Sequence, residues 1–174
     1  MAQQYSIVLK KPCKEYEKFV PEQDELKLIE FSNFNSSIVD VICKELYNET
    51  CKVFVVGDYA EAKDNINSSS PLVNNWFLDI LRGSNEVDYK TTVFNMNGKI
   101  VLNYTKGLYY KITNQEPFKL FFLCSIGNGK GSGDYYGVAK NECGKWFGDS
   151  IRILDEKNFD EFFWDEYKVI FNEC

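Results

Sequence analysis

Histidine is absent from all 174 residues of the sequence. Its absence excludes Ser-His-Asp and Cys-His catalysis in their usual forms and zinc sites that use imidazole, and it removes the commonest general base near neutral pH. An enzyme built from this chain would have to rely on carboxylates, Lys, Tyr or Cys, as in Mg²⁺ chemistry or paired-acid hydrolysis. We therefore lean towards a protein without catalytic activity.

Long apolar runs and C-x-x-C pairs are also missing. No stretch approaches the roughly 20 apolar residues that span a bilayer, and residues 1–12 show no basic segment followed by an apolar one. We therefore expect a cytoplasmic protein that does not associate with membranes. In a reducing compartment its cysteines are expected to be free thiols packed as small hydrophobic groups. There are six of them, namely Cys13, Cys43, Cys51, Cys124, Cys143 and Cys174.

Acidic residues outnumber basic ones by 26 to 20, which gives a net charge of −6. Such a chain is repelled by nucleic-acid phosphates, so we expect no direct binding of nucleic acid. The excess is concentrated at 155–174, where seven acids and two lysines give a net charge of −5. The other 154 residues are therefore almost neutral, at −1.

The pattern of apolar residues predicts a single α+β domain over residues 1–174. Strands are predicted at 5–10, 53–56 and 117–126, and helices at 35–48, 71–84 and from residue 158 onward. Asn97-Gly98 lies between two β-rich runs and predicts a hairpin, and Lys106-Gly107 marks a second turn. The expected architecture is a mainly antiparallel sheet in the second half of the chain with about three covering helices.

The segment SIGNGKGSGDYYG (125–137) has glycine at every second position from Gly127 to Gly133. It matches neither the Walker A spacing nor the Rossmann G-x-G-x-x-G spacing, so neither standard phosphate loop is predicted. In an extended chain the glycines would form one bare face, which lets a backbone, a ring or a ligand approach closely. The alternative is a flexible hairpin loop in which glycine supplies turn conformations.

Gly-Asp pairs occur at 57–58, 133–134 and 148–149, each at the edge of an apolar run. One interpretation is ordinary turn chemistry at strand ends. The other is that the three aspartates converge with two tyrosines at one end of the sheet and form a polar, aromatic ligand-binding cleft. The candidate ligand-binding residues are Asp58, Tyr59, Asn128, Lys130, Ser132, Asp134, Tyr135 and Asp149.

Three convergent carboxylates could hold Mg²⁺ or Ca²⁺. However, no D-x-D or EF-hand spacing is present, so we predict no metal site. The sequence identifies neither a cofactor nor an oligomeric state.

The acidic, aromatic end of the chain is predicted to form an amphipathic helix, with Asn158 and Glu161 in the positions of a capping box. One interpretation is a cover helix with a solvated acidic face. The other is that its carboxylates imitate a row of phosphates and occupy a basic groove on a nucleic-acid enzyme, with aromatic side chains as anchors. The candidate partner-binding residues are Asp160, Glu161, Phe163, Trp164 and Asp165.

Four segments in order, GDYA (57–60), LNYTK (102–106), GNGKGSGDYYG (127–137) and GKWFGDSI (144–151), resemble a family of uncharacterised bacterial and bacteriophage proteins. That family carries G-D-Y-A, N-H-T-K, G-N-G-x-G-x-G-D-Y and G-x-W segments, and Tyr104 stands here in place of its histidine. The resemblance implies an origin in a low-GC bacterium or its phage. It also implies that the glycine segment belongs to a scaffold or site shared by the family, but it supplies no activity or cofactor.

Three functional hypotheses follow. The leading one is a non-catalytic binding protein, specifically an acidic phage or mobile-element inhibitor of anti-defence or anti-CRISPR type that acts by protein–protein contact. The second is a small-ligand or nucleotide-binding protein that uses the segment 127–134, with a Mg-dependent hydrolase as one form of this hypothesis. The third is a toxin-immunity protein.

Overall fold

The computed structural model describes residues 4–60, 76–113, 118–127 and 141–168, which form a mixed sheet of nine strands with four α-helices. The strands are β1 (Tyr5–Lys10), β2 (Tyr16–Phe19), β3 (Cys51–Gly57), β4 (Asn85–Glu86), β5 (Lys99–Asn103), β6 (Leu108–Lys111), β7 (Ser125–Ile126), β8 (Ser150–Asp155) and β9 (Asp165–Glu166). The helices are α1 (Leu28–Phe31), α2 (Ser37–Asn48), α3 (Trp76–Gly83) and α4 (Lys119–Leu123). None of these helices has the length and apolar composition that crossing a membrane requires.

Strand order across the sheet is β4-β2-β1-β3-β8-β5-β6-β9, and β7 pairs with β3 outside this path. One edge of β3 is paired along its length with antiparallel β1. Its other edge is divided, because β8 pairs antiparallel with its beginning and β7 pairs parallel with its end. Strands β1, β2 and β3 lie in the first half of the chain, so the sheet is not confined to the second half.

The larger part of the core lies on one face of the sheet, which α1, α2 and α4 cover. Helix α2 was predicted from its apolar spacing, and that prediction is confirmed at 37–48. Alternation along β1 and β3 directs every second side chain to this face. Its members from α2, β1 and β3 include Ile38, Ile42 and Leu46, Ile7 and Leu9, and Val53 and Val55.

The opposite face of the sheet carries two smaller apolar clusters. The first contains Val8, Phe54 and Phe77, and α3 supplies Phe77. The second lies on β5 and β6, where Phe159 and Trp164 pack against it. Its buried members are Ile100, Leu102 and Tyr109.

Residues 117–126 were predicted to form a strand, and this prediction is wrong for most of the segment. Residues 119–123 form α4, and only Ser125 and Ile126 form a strand. An unbroken apolar run fits either a buried strand or a buried helix, so periodicity alone does not separate them. Here Leu120 to Leu123 are buried on all sides, as a short helix inside the core requires.

The hairpin predicted at Asn97-Gly98 is also not formed. Gly98 does adopt a positive φ of 67°, but residues 89–96 before it are not a strand. The second predicted turn is confirmed, since Gly107 has a φ of 68° and β5 pairs antiparallel with β6 across it.

The predicted C-terminal helix is wrong as well. Residues 156–158 and 161–163 form two separate 3₁₀ turns, and β9 follows them. The aromatic side chains do not share one helical face, because Phe159 packs on Tyr109 and Trp164 packs on Tyr104. These tertiary contacts outweigh the local helical pattern.

Candidate functional site

Asp58 and Tyr59 follow the end of β3 and are both exposed. The Asp58 amide donates to the carbonyl of Gln4 at 2.9 Å, and the Gln4 amide donates to Asp58 Oδ1 at 3.0 Å. This reciprocal pair closes the end of the β1–β3 ladder. Tyr59 is half exposed, at 50% of its surface.

Five of the predicted ligand-binding residues lie outside the described residues. They are Asn128, Lys130, Ser132, Asp134 and Tyr135. The glycine segment begins at Gly127, directly after β7. Because β7 runs parallel to the end of β3, the chain leaves the sheet at Gly127 at the same end as Asp58. Ligand sites in open sheets are commonly found beyond the carboxyl ends of parallel strands.

Asp149 lies further back along β3, and the structure does not bring it to Asp58. The Val53 amide donates to the Asp149 carbonyl at 3.2 Å. Five residues of strand separate Val53 from Asp58, which corresponds to roughly 16 Å. These two carboxylates therefore do not line a common cleft.

Asp149 instead belongs to a buried polar cluster with Asn103 and Lys106. Asp149 Oδ2 accepts a hydrogen bond from Asn103 Nδ2 at 2.9 Å and one from Lys106 Nζ at 2.6 Å. Asn103 is fully buried and Asp149 is 8% exposed. The carboxylate thus satisfies a buried amide and neutralises a partly buried ammonium group, so its burial is compensated.

A second set of bonds holds the same two segments together. The Tyr104 amide donates to the Ser150 carbonyl, and the Ser150 amide donates to Thr105 Oγ1, both at 2.9 Å. Sequence reasoning identified Asp149 but missed Asn103 and Lys106 as its partners. The available signal was that 102–106 and 144–151 are two of the segments that carry the family resemblance. Because Asn103 and Lys106 both donate to Asp149 and the carboxylate is little exposed, we interpret this cluster as a structural contact that holds β5 and β8 together.

The two most exposed aromatic side chains of the described residues lie elsewhere, on residues 160–166, which we call the acidic aromatic segment. Phe162 is 79% exposed and Phe163 is 86% exposed, and their rings stack edge to face with centroids 4.7 Å apart. Four carboxylates and no basic residue share these seven positions, namely Asp160, Glu161, Asp165 and Glu166. All four are exposed.

The segment is fixed to the sheet at three points. Tyr109 donates from its hydroxyl to Glu161 Oε2 at 2.9 Å, and this hydrogen bond raises the pKa of Tyr109 to about 12. The Trp164 ring lies 5.2 Å from the Tyr104 ring, and β9 pairs with β6. The two exposed phenylalanines therefore lie between residues that are attached to the sheet.

Among the predicted partner-binding residues, the structure separates Phe163 from Trp164. Phe163 is exposed, whereas Trp164 is half-buried between Tyr104 and Phe159. Phe162 is the aromatic neighbour of Phe163 at the surface, and it was not among the predicted site residues. The segment does not form the predicted α-helix, and in the 3₁₀ turn at 161–163 the rings of Phe162 and Phe163 are both exposed.

No group of three or more Cys, Asp and Glu side chains in the described part of the chain is arranged to hold a metal ion. No family model, curated protein or solved structure matches the sequence or the fold. The geometry of the chain is therefore the basis for the functional argument.

Proposed function

We propose that this chain is a non-catalytic binding protein that contacts a protein partner through the acidic aromatic segment. The observation that carries the proposal is the exposure of Phe162 and Phe163 side by side, flanked in sequence by exposed carboxylates. Exposed apolar patches rimmed by polar residues are typical of protein interaction sites, and aromatic residues dominate the binding energy of such sites.

The attachment of the segment supports the proposal energetically. A loop that becomes ordered only on binding loses conformational entropy at that moment, which reduces affinity. Here Tyr109, Trp164 and β9 already hold the backbone on either side of the two phenylalanines. The backbone that carries Phe162 and Phe163 is therefore largely ordered before the partner binds.

Charge indicates the kind of partner. Four carboxylates around an apolar pair complement a basic groove, and complementary potentials accelerate association and select partners. A nuclease that binds nucleic acid, including a CRISPR effector, presents such a groove. We therefore propose an acidic inhibitor of anti-defence or anti-CRISPR type, encoded by a phage or mobile element. A cationic toxin, with this chain as its immunity protein, is the alternative partner.

The test compares affinities of variants of the whole chain for a purified RNA-guided nuclease by biolayer interferometry. Replacing Phe162 and Phe163 by Ser is expected to reduce affinity at least about 100-fold, since the apolar contact is lost. Val93→Ser is the matched control, because Val93 is 89% exposed but lies outside the segment. Equal binding by the double variant and the control would refute the assigned surface.

A second comparison tests the role of charge. Asp160, Glu161 and Asp165 are replaced together by Asn, Gln and Asn, which removes the charges but keeps acceptors for the Phe162 amide and the Tyr109 hydroxyl, and the ionic strength is raised from about 0.05 to about 0.5 M. Both changes are expected to weaken binding mainly through slower association. If neither changes the affinity, the charge-mimicry proposal is wrong. Genes next to this one would then indicate whether a toxin or a defence system is the better candidate partner.

A small-ligand function remains the second candidate, and the parallel β3–β7 pair favours it. Asp58 and the start of the glycine segment leave the sheet at the same end. A thermal-shift series with nucleotides, cyclic nucleotides and Mg²⁺ tests it, because a ligand at 100 times its Kd adds about 2.7 kcal/mol of stability. No shift with any of these compounds would count against this function.

A further inference from the structure

An unusual row of cationic side chains crosses the sheet on the face opposite α2. Lys10 of β1 lies directly opposite Lys52 of β3, and Lys52 lies opposite Ser150 of β8. Residues paired in this way direct their side chains to the same face. Two like charges directly opposite each other destabilise a sheet, and an anion bound between them would remove that repulsion.

Two other lysines of the sheet have acidic partners. Lys99 pairs with Asp155 at 2.8 Å, and Lys111 pairs with Glu156 at 2.9 Å. Within the described residues, Lys10, Lys52 and Arg152 have no carboxylate at ion-pair distance. Lys10 Nζ instead donates to a backbone carbonyl, at 2.9 Å, and lies 5.9 Å from the Tyr16 ring centre.

The carboxylates closest to this row in sequence are directed elsewhere. Glu49 lies next to Thr50 and interacts with Lys11 and Lys14, at 3.9 and 3.8 Å. Asp149 lies next to Ser150 and is bound to Lys106. The positive charge of the row is therefore not balanced by these neighbours.

Arg152 adds an unsatisfied donor on the same face. It lies two residues beyond Ser150 on β8, so its side chain is diagonal to that of Lys52. Its Nε is buried and has no hydrogen-bond partner among the described residues. A buried donor without a partner is costly and is usually explained by a ligand, an ion or a water molecule.

The row forms one side of a concavity of about 350 Å³. Its lining combines ammonium groups, hydroxyl groups and one aromatic ring, and its residues are Lys10, Lys11, Pro12, Tyr16, Thr50, Lys52 and Ser150. A volume of this size lies within the range of small-molecule sites. We call this concavity the cationic groove; Arg152 is not one of its lining residues but follows Ser150 by two positions on β8, on the same face of the sheet.

We infer that the cationic groove binds a small phosphorylated molecule. Lys10 and Lys52 would neutralise the phosphate, and the Ser150 and Thr50 hydroxyl groups and Arg152 would donate hydrogen bonds to it. A long polyanion is disfavoured, because the chain as a whole has a net charge of −6 and repels it. This inference does not depend on the acidic aromatic segment.

The experiment uses the whole chain and titrates it with pyrophosphate, ribose 5-phosphate and AMP by isothermal titration calorimetry at low ionic strength. At least one probe is expected to bind with a Kd below about 1 mM. A double variant, Lys10→Gln with Lys52→Gln, is expected to weaken that binding at least about tenfold, because two charge-assisted contacts are lost. Arg152→Gln is expected to weaken it as well.

The control is the double variant Lys44→Gln with Lys90→Gln. Both of these lysines are exposed and line a different concavity, next to α2, so the net charge changes equally while the groove stays intact. Its affinity is expected to stay within about twofold of the unmodified chain. Binding of all three probes would assign recognition to phosphate alone, and binding of AMP only would add a role for the base.

Three results would overturn the inference. One is the absence of binding heat with every probe, and another is an equal loss of affinity in the groove variant and in the control. The third is a set of chemical-shift changes on titration that avoids Lys52 and Ser150. Circular dichroism of each variant ensures that lost binding is not lost folding, and removal of the Lys10–Lys52 repulsion is expected to preserve thermal stability.

Discussion

The Lys106 ammonium group lies 2.6 Å from Asp149 Oδ2, and this contact joins the turn after β5 to the residue that precedes β8. Asn103 donates to the same oxygen, at 2.9 Å. Within this cluster Asn103 is buried, whereas the Lys106 side chain is partly exposed. Removing Asp149 would therefore leave one amide and one ammonium group without their acceptor.

We predict that Asp149→Ala lowers the free energy of unfolding by about 2–4 kcal/mol, because a buried donor and a partly buried charge lose their partner. Asp149→Asn retains an acceptor oxygen, so we expect it to lower the free energy of unfolding by about half as much. Urea unfolding of both variants gives the measurement. A double-mutant cycle with Lys106→Ala isolates the ion pair, and a coupling energy of zero would show that the two groups do not stabilise each other.

Strong periodicity allowed three elements to be predicted from the sequence alone. Strands β1 and β3 and helix α2 each bury apolar side chains, and the spacing of those side chains is visible within the element itself. Local sequence determines such elements because the same side chains define both the conformation and the buried face.

Residues 87–96 are a segment in which the pattern of side chains alone does not predict the structure correctly. Exposure alternates from residue 87 to 90 and again from 91 to 96, with a change of phase between Lys90 and Thr91, and Tyr89 and Phe94 pack against the core. However, a strand also needs a neighbouring backbone, and residues 87–96 are not paired as one. The pairing depends on distant parts of the chain, which periodicity does not report.

The candidate sites were less predictable than the fold, because their partners are distant in sequence. Asp149 is 46 residues from Asn103 and 43 from Lys106, and only the β5–β8 register brings them together. Likewise, the Lys10–Lys52 pair exists only through the β1–β3 register. Phe162 is exposed in a segment that does not form the predicted helix, and the contacts made by Trp164 and Tyr109 explain why that helix is not formed.

Gly148 provides a second test of the junction between β3 and β8. It has a φ of 76°, and a Cβ atom at this position would lie 2.9 Å from Phe54 Cε1. We predict that Gly148→Ala costs about 1–2 kcal/mol from its backbone conformation and more from the contact with the ring. Gly98→Ala is the matched control, because Gly98 has a φ of 67° with open space around it. Equal unfolding free energies for the two variants would show that the Phe54 contact has no cost.

Thiol reactivity is expected to distinguish Cys13 from the other described cysteines. Cys13 is exposed, whereas Cys43, Cys51, Cys124 and Cys143 are buried. Burial raises the pKa of Cys51 to about 12 and raises the pKa values of Cys43 and Cys124 well above the usual range. In a Cys174→Ser background, Ellman's reagent is expected to modify one thiol rapidly at pH 8 and the others only on unfolding. A Cys13→Ser, Cys174→Ser variant that kept a rapid phase would contradict this assignment.

Acid stability is expected to depend on Asp155. Hydrogen bonds from Lys99 and Tyr47, at 2.8 and 2.6 Å, hold the pKa of this carboxyl below its usual value of 3.8. Because the folded state favours the ionised form, the contribution to stability is present above about pH 4 and is lost as the pH falls through the lowered pKa. Asp155→Asn is therefore expected to reduce stability at pH 7 and to approach the unmodified chain as the pH falls below the lowered pKa of Asp155. The control is Asp88→Asn, an exposed position, and a pH-independent difference for Asp155→Asn would exclude the linkage.

Trp164 and Phe163 are adjacent in sequence, but their truncation is expected to change the free energy of unfolding by very different amounts. Trp164 is half-buried and packs on Tyr104 and Phe159 at 5.2 and 5.8 Å, so Trp164→Ala opens the cover over the cluster that contains Tyr109. We expect it to lower the free energy of unfolding by about 2–4 kcal/mol. Phe163 is 86% exposed, and Phe163→Ala is expected to change stability by less than about 0.5 kcal/mol. Urea unfolding of the two variants measures this difference. Comparable losses in both would mean that Phe163 contributes to the core, and the acidic aromatic segment would then not be a surface available to a partner.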